Sequence, residues 1–382
     1  MRMRFCLVLI ISLMGCTTPP SNEYEKKTDL ESILDEFEYQ LQKDLQDDNL
    51  NGSFSVVIVK GEEIIRSKTY GQLDFKNTPA NANSIYRIGS ISKSFTAFLM
   101  MQLIQDGIFE LDDPIEKYLP EIRQLREYSD STIITFRQLA SHTSGLNSGP
   151  DLGRPSTSAI QEWESEVLAC IPATGFRSRP GKSYSYSNIG FAFLGYAIAR
   201  AAGEPYIELI QKRILDPLQM SSTYFQVPEE KQADLAQGRW GGPMGGYDED
   251  RPKKEHEGTG WSVPNGGIYS TANNLAKFMI CSMGYSELLS DDNLALMQTM
   301  QTPEGKWHEN YGLGFTLYKD SIISTIGHQG GNPGYRANML FEKESQYGVV
   351  ILRNYSWGLT DLNLKSTILL RKLKELSLEE VE

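Results

Sequence analysis

Three short segments of the sequence carry side chains capable of covalent chemistry. In Ser90-Ile91-Ser92-Lys93 a hydroxyl and an amine stand three residues apart, which on a helix puts both on one face with Cβ atoms about 5 to 6 Å apart. That pair suits a nucleophile and its base, provided burial pulls the lysine from about 10.4 toward neutrality, at roughly 4 kcal/mol for a pKa near 7. Ser-x-x-Lys alone is a weak signal, since chance supplies it and a solvated helix start explains it. Tyr184-Ser185-Tyr186-Ser187-Asn188 sets a phenol and a carboxamide two residues apart, on one side of an extended stretch, where Tyr186 can relay a proton. The same residues also read as a polar, aromatic turn capping a helix from Gly190 to Arg200. His328-Gln329-Gly330-Gly331 follows a predicted strand and sets a donor side chain beside glycines that let a substrate backbone come close. A hairpin turn with a surface histidine is the plainer reading of that segment.

These segments need a scaffold. Thr28 and Glu31 form a capping box, and Leu30, Ile33, Leu34, Phe37, Leu41 and Leu45 follow at helical spacing. Phe54 to Val59, Glu63 to Tyr70 and Ile85 to Ile88 read as strands. From Ser90, which opens a helix running to Gly107, the chain becomes helix-rich with long Gly- and Pro-bearing loops. Strand patterns return at Phe315 to Tyr318, Ile322 to Ile326, Arg336 to Phe341 and Gly348 to Arg353, before a last amphipathic helix around Leu362 to Leu376. Strands at both ends with helices between predict an α+β fold, in which N- and C-terminal strands join one antiparallel sheet flanked by helices, beside a helix-rich subdomain. The expected division is 28–89 plus 308–380 for the α/β part and 90–307 for the mainly helical part. The loop from Gly238 to Gly267 holds several glycine pairs, but no Gly-Lys-Ser/Thr follows, so it reads as a loop lining a cleft rather than a phosphate cradle. Together with residues 147–185, including Trp163 and Phe176, it is expected to wall the substrate pocket.

With 382 residues, 40% of them hydrophobic and 23% charged, the chain has the composition of an ordinary folded protein. Its net charge of −12, with no basic run, argues against nucleic acid as partner. Arg2 and Arg4 precede the apolar stretch Phe5 to Met14, which is too short to span a membrane and has the plan of a signal peptide over 1–15. The run Leu13-Met14-Gly15-Cys16 resembles a bacterial lipobox, which implies lipidation of Cys16, a polar linker over 16–27, and a lipid-anchored body facing the periplasm, on the outer membrane by the Thr17 pattern. Cys170 and Cys281 then remain, to pair in an oxidising compartment or to lie apart as buried thiols.

The three segments stand in the order and rough spacing of the motifs of the class C β-lactamase and penicillin-binding-protein-like serine hydrolases, which the chain resembles from about residue 50 to 355. Leu139-Ala140-Ser141-His142-Thr143-Ser144-Gly145-Leu146 and Gly266-Gly267-Ile268-Tyr269-Ser270-Thr271-Ala272 are similar to two further family segments. The resemblance implies that Ser90 is the acylated nucleophile, that Lys93 and Tyr186 share base and acid duty, and that Asn188 orients the substrate. It places the oxyanion between the Ser90 and Gly331 amides, with His328 and Gly330 on the substrate edge. It implies no cofactor and no metal, and the histidines offer no zinc triad of helical spacing. His142, in a short helix capped by Thr135 and Gln138, reads as a structural hydrogen-bonding residue. Class C β-lactamases have Lys where His328 stands, so the expected substrate is an ester or D-amino-acid amide; Arg336, just beyond, either restores a positive charge or lies on the surface. A true β-lactamase or DD-carboxypeptidase is the alternative within the family. A catalytically silent lipoprotein that binds cell-wall peptide is the alternative of another class.

Overall fold

A helix that buries Leu34, Phe37 and Leu41, at the three- and four-residue intervals of one face, opens the described chain as α1 (Asp29–Asp48). The computed structural model describes residues 29–379 apart from 154–157, 243–245, 249–251, 255–259 and 304–309. The signal segment, Cys16 and the 16–27 linker lie outside the described residues, as does part of the Gly-rich loop. No helix among the described residues is long and apolar enough to cross a membrane.

Behind α1 stands a six-stranded antiparallel sheet in the order β2-β1-β10-β9-β8-β7. Its members are β1 (Ser53–Lys60), β2 (Glu63–Gly71), β7 (Thr316–Lys319), β8 (Ser324–Asn332), β9 (Tyr335–Glu342) and β10 (Tyr347–Arg353). Early and late strands therefore join in one sheet, with Val57 opposite Val350 at the seam. β1 and β10 are buried along nearly their whole length because both faces are covered, and alternation of side chains sorts them into two cores. Phe54, Val56, Ile58, Val349 and Ile351 pack with α1 and the C-terminal helix Leu362–Glu379, whereas Val57, Val59, Val350 and Leu352 face the helical body.

Two expectations about strands are corrected. The strand around Ile85 is only β3 (Tyr86–Arg87), and it pairs with β6 (Tyr269–Ser270) in a separate two-stranded sheet. The strand predicted over Ile322 to Ile326 starts later and runs through the His-Gln-Gly-Gly segment, so those residues lie on a strand and not in a turn after it. Glycines hide a strand from the sequence because they carry no side chain to alternate. Within the Gly-rich loop the chain forms a small hairpin, β4 (Trp240–Gly242) with β5 (Gly246–Asp248).

The helical body is built on α2 (Ser92–Gln105), every residue of which from Ser92 to Leu103 is buried. Phe95 stacks on Phe278 with ring centroids 3.7 Å apart. Around it stand α3 (Phe136–Ala140), α4 (Trp163–Cys170), α5 (Asn188–Ala202), α6 (Tyr206–Ile210) and the helix Ala272–Ser282. The predicted capping box of Thr135 with Gln138 starts α3. His142 falls outside that helix, two residues past its end, in left-handed backbone at φ 59°. Cys170 and Cys281 are both buried as free thiols.

Candidate active site

Ser90 sits in a tight 3-10 turn, Gly89–Ile91, that leads directly into α2. Gly89 takes φ +54°, and a Cβ there would stand 2.5 Å from the Gly331 amide nitrogen; at Gly330 a Cβ would meet the Ile88 carbonyl oxygen at 1.8 Å. Only residues without a side chain let β8 lie this close to the turn that carries Ser90. Beyond Gly327 no β7 residue pairs with β8, so the stretch from His328 to Asn332 has one strand edge without a β7 partner. Side chains anchor α2 against the turn Val263–Gly266 and its surroundings, with Thr96 Oγ1 donating to the Pro264 carbonyl at 2.5 Å and Ser94 Oγ to the Gly314 carbonyl at 2.7 Å.

One turn along α2, Lys93 Nζ lies 3.0 Å from Ser90 Oγ and donates to the Asn265 carbonyl at 2.9 Å. Lys93 is fully buried and has no carboxylate partner among the described residues. Burial holds its pKa well below the ordinary lysine value, so the amine keeps a lone pair for the hydroxyl beside it. Its nitrogen stands 4.9 Å from the centroid of the Tyr186 ring. The Tyr186 hydroxyl bonds to Ser90, and burial pushes its pKa up despite that bond. The nucleophile thus has an amine of lowered pKa on one side and a phenol of raised pKa on the other.

Tyr186 and Asn188 flank Ser187, the N-cap of α5, whose hydroxyl accepts from the Gly190 amide at 3.0 Å. The Ser187 amide donates to His142 Nδ1 at 3.0 Å. His142 therefore pins the backbone between the two motif residues, and its ring packs on Tyr186 with centroids 4.1 Å apart. Burial, then the nearby Lys93 and His328, holds His142 well below the usual imidazole pKa. It stays neutral, with the proton on Nε2, a buried atom that has no hydrogen-bond partner among the described residues. Asn188 occupies the first turn of α5 and is half-buried.

His328 is buried, and both ring nitrogens are engaged. Nδ1 meets the Gln329 carbonyl at 2.6 Å, and because a carbonyl only accepts, Nδ1 carries the proton. Nε2 accepts from the Tyr311 hydroxyl at 2.8 Å. Burial and the nearby Lys93 push this imidazole down to about 3, so it too is neutral. Arg336 lies opposite Gly331 across the β8–β9 ladder, half-buried, and donates to the Tyr335 carbonyl at 3.0 Å. Ser90, Lys93, Tyr186, Gly330, Gly331 and His328 are thus gathered around one turn. Sequence reasoning missed Tyr311, which belongs to no motif, and the Asn265 carbonyl, which borders the flagged Gly266-Gly267 pair but acts through its backbone. No group of acidic, histidine or cysteine residues suited to a metal ion occurs among the described residues.

Ser90, Lys93 and Tyr186, with Lys93 fully buried, cluster where the helical body meets β8, next to the edge of the antiparallel sheet. Residues 40–365 match the Beta-lactamase family model. The chain belongs to the beta-lactamase family, whose members are typically serine hydrolases. Beta-lactamase-like protein 2 of Dictyostelium discoideum is 31% identical over 360 residues, covering 91% of this chain and 63% of its own length. The chain thus spans somewhat less than two thirds of that relative. Among solved structures, the octameric penicillin-binding protein homologue from Pyrococcus abyssi has a TM-score of 0.74 at 25% identity, over 91% of this chain and 77% of its own. The D-amino acid amidase from Ochrobactrum anthropi SV3 shares the fold at 22% identity and a TM-score of 0.72, over 91% of this chain and all of its own.

Proposed function

We propose that the protein hydrolyses an ester or D-amino-acid amide through an acyl-enzyme on Ser90. The observation that carries this reading is Lys93 Nζ, 3.0 Å from Ser90 Oγ, in an amine whose pKa burial holds well below the ordinary lysine value. Ser90 Oγ attacks the acyl carbon while Lys93 takes its proton. The Ser90 and Gly331 amides hold the oxyanion, a role in which one donor is worth roughly 3 to 4 kcal/mol. Tyr186, a phenol beside Ser90, gives its proton to the leaving alcohol or amine and is reprotonated by Lys93, whose amine is then free again. Water then attacks the acyl group with Lys93 as base, and that proton returns to Ser90 Oγ as the acid leaves. The neutral His328, with both nitrogens bound within the protein, supports an acyl donor recognised by shape and backbone bonding over one held by a cation at that position. The D-amino acid amidase sharing the fold supports an amide among the substrates.

The test is p-nitrophenol release from a short-chain ester by the protein and by Ser90→Ala, together with the intact mass after mixing. A mass gain equal to one acyl group, absent in Ser90→Ala, is expected. Equal release by both proteins, or none by either, favours the silent binding protein. For location the reading is a lipid-anchored envelope protein, supported by the Leu13–Cys16 run alone. Labelling with a radioactive fatty acid that persists in Cys16→Ser would refute it.

A further inference from the structure

Positive residues form no run in the sequence, yet three of them line one cavity whose walls do not include Ser90. The cavity measures about 750 Å³, and its lining includes Arg177, Arg179 and Lys182 on one wall with Thr132 and Ser178 among its hydroxyls. All three cations are exposed, and none forms an ion pair or a side-chain hydrogen bond with another described residue. Glu127 is the one carboxylate in the lining. In a chain of net charge −12, a cavity where cations outnumber carboxylates three to one is a local reversal of the molecule's field.

The walls are held in place. The Arg177 amide donates to the Gly145 carbonyl at 2.8 Å and the Gly181 amide to the Thr143 carbonyl at 2.7 Å. Gly145, at φ +74°, lies so close that a Cβ would stand 2.2 Å from the Ser178 carbonyl oxygen. The facing loop is closed by a bond from the Thr132 amide to the Ser129 carbonyl at 2.8 Å. The cations thus hang from backbone that is fixed before any ligand arrives, which lowers the cost of ordering them around one.

We propose that this cavity binds a phosphate group. Two guanidiniums, an ammonium and hydroxyls offer more donors than the two oxygens of a carboxylate can take, and they match a tetrahedral anion with three or four acceptor oxygens. Free phosphate and a phosphate ester on a larger molecule present the same group. The assignment is independent of which acyl group Ser90 takes.

Titration calorimetry on the full chain, with inorganic phosphate in one arm and glycerol 3-phosphate in the other, tests the site against sodium chloride of equal ionic strength. One-site binding in the millimolar range or tighter is expected, weakened at least about tenfold in Arg177→Ser/Arg179→Ser/Lys182→Gln. Tighter binding of the ester assigns the phosphate to a larger molecule, and tighter binding of the inorganic ion assigns it to free phosphate. Glu127→Gln removes the opposing charge and is expected to strengthen binding, a gain that a misfolded variant cannot imitate. Equal heats in the chloride control, or undiminished binding in the triple variant, would overturn the assignment.

Discussion

With its amine 3.0 Å from Ser90 Oγ and shut away from water, Lys93 is expected to set the acid limb of the rate profile. The base works only when unprotonated, and burial has lowered its pKa, so turnover should fall as pH drops through that lowered value and stay level above it. Lys93→Arg installs a cation that cannot lose its proton and is expected to cost about 10² to 10⁴ in turnover. Tyr186→Phe should cost a comparable factor and leave ester binding nearly unchanged, which a comparison of kcat with KM checks. His142 acts at one remove, through its bond to the Ser187 amide. Its removal in His142→Ala is expected to lower kcat about tenfold or more with a smaller effect on KM, and His142→Asn, whose side-chain oxygen can accept the same bond, to restore part of it. A wild-type kcat in His142→Ala would reduce the residue to packing. That Ser90, Lys93 and Tyr186 would lie together was legible in the sequence because the proposed chemistry requires fixed residue types at fixed spacing. The engagement of His328 by Tyr311 was not, since seventeen residues separate the two and no local pattern links them.

Elements bring these residues together at glycine contacts that leave no room for a side chain. Gly330→Ala sets a Cβ 1.8 Å from the Ile88 carbonyl oxygen, against backbone, whereas Gly331→Ala meets only the Arg336 side chain at 2.9 Å. Displacement of β8 in Gly330→Ala is expected to destabilise the fold by about 1 to 3 kcal/mol and to abolish turnover, while Gly331→Ala should do markedly less to stability. Urea unfolding of the two variants side by side decides this, and equal losses would contradict the close approach. Sequence patterns located β1 and β10 because apolar residues fill them. They misplaced β8, whose second half is His-Gln-Gly-Gly-Asn, and they put β3 with the main sheet, because pairing with β6 across the helical body is a long-range event.

At the scale of the whole molecule, the neutral histidines tie stability to pH. The His328 imidazole is pushed down to about 3 and His142 well below its ordinary value, while in the unfolded chain both titrate near 6.5. Below about 6.5 the unfolded state takes up protons that the folded state refuses, so stability should fall as pH drops through this window and level off above it. Urea midpoints at pH 8 and pH 5 measure the slope, and His328→Gln is expected to reduce it. That strands from both ends would share a sheet was legible from their placement alone, since each set has too few members to bury its faces. The seam between them has a further consequence. Val57 cannot pair with Val350 until everything between them has been made, so β1 emerges with an open edge and keeps it throughout synthesis of the helical middle. Such long-range closure slows folding and leaves that edge open to other strands until it is complete.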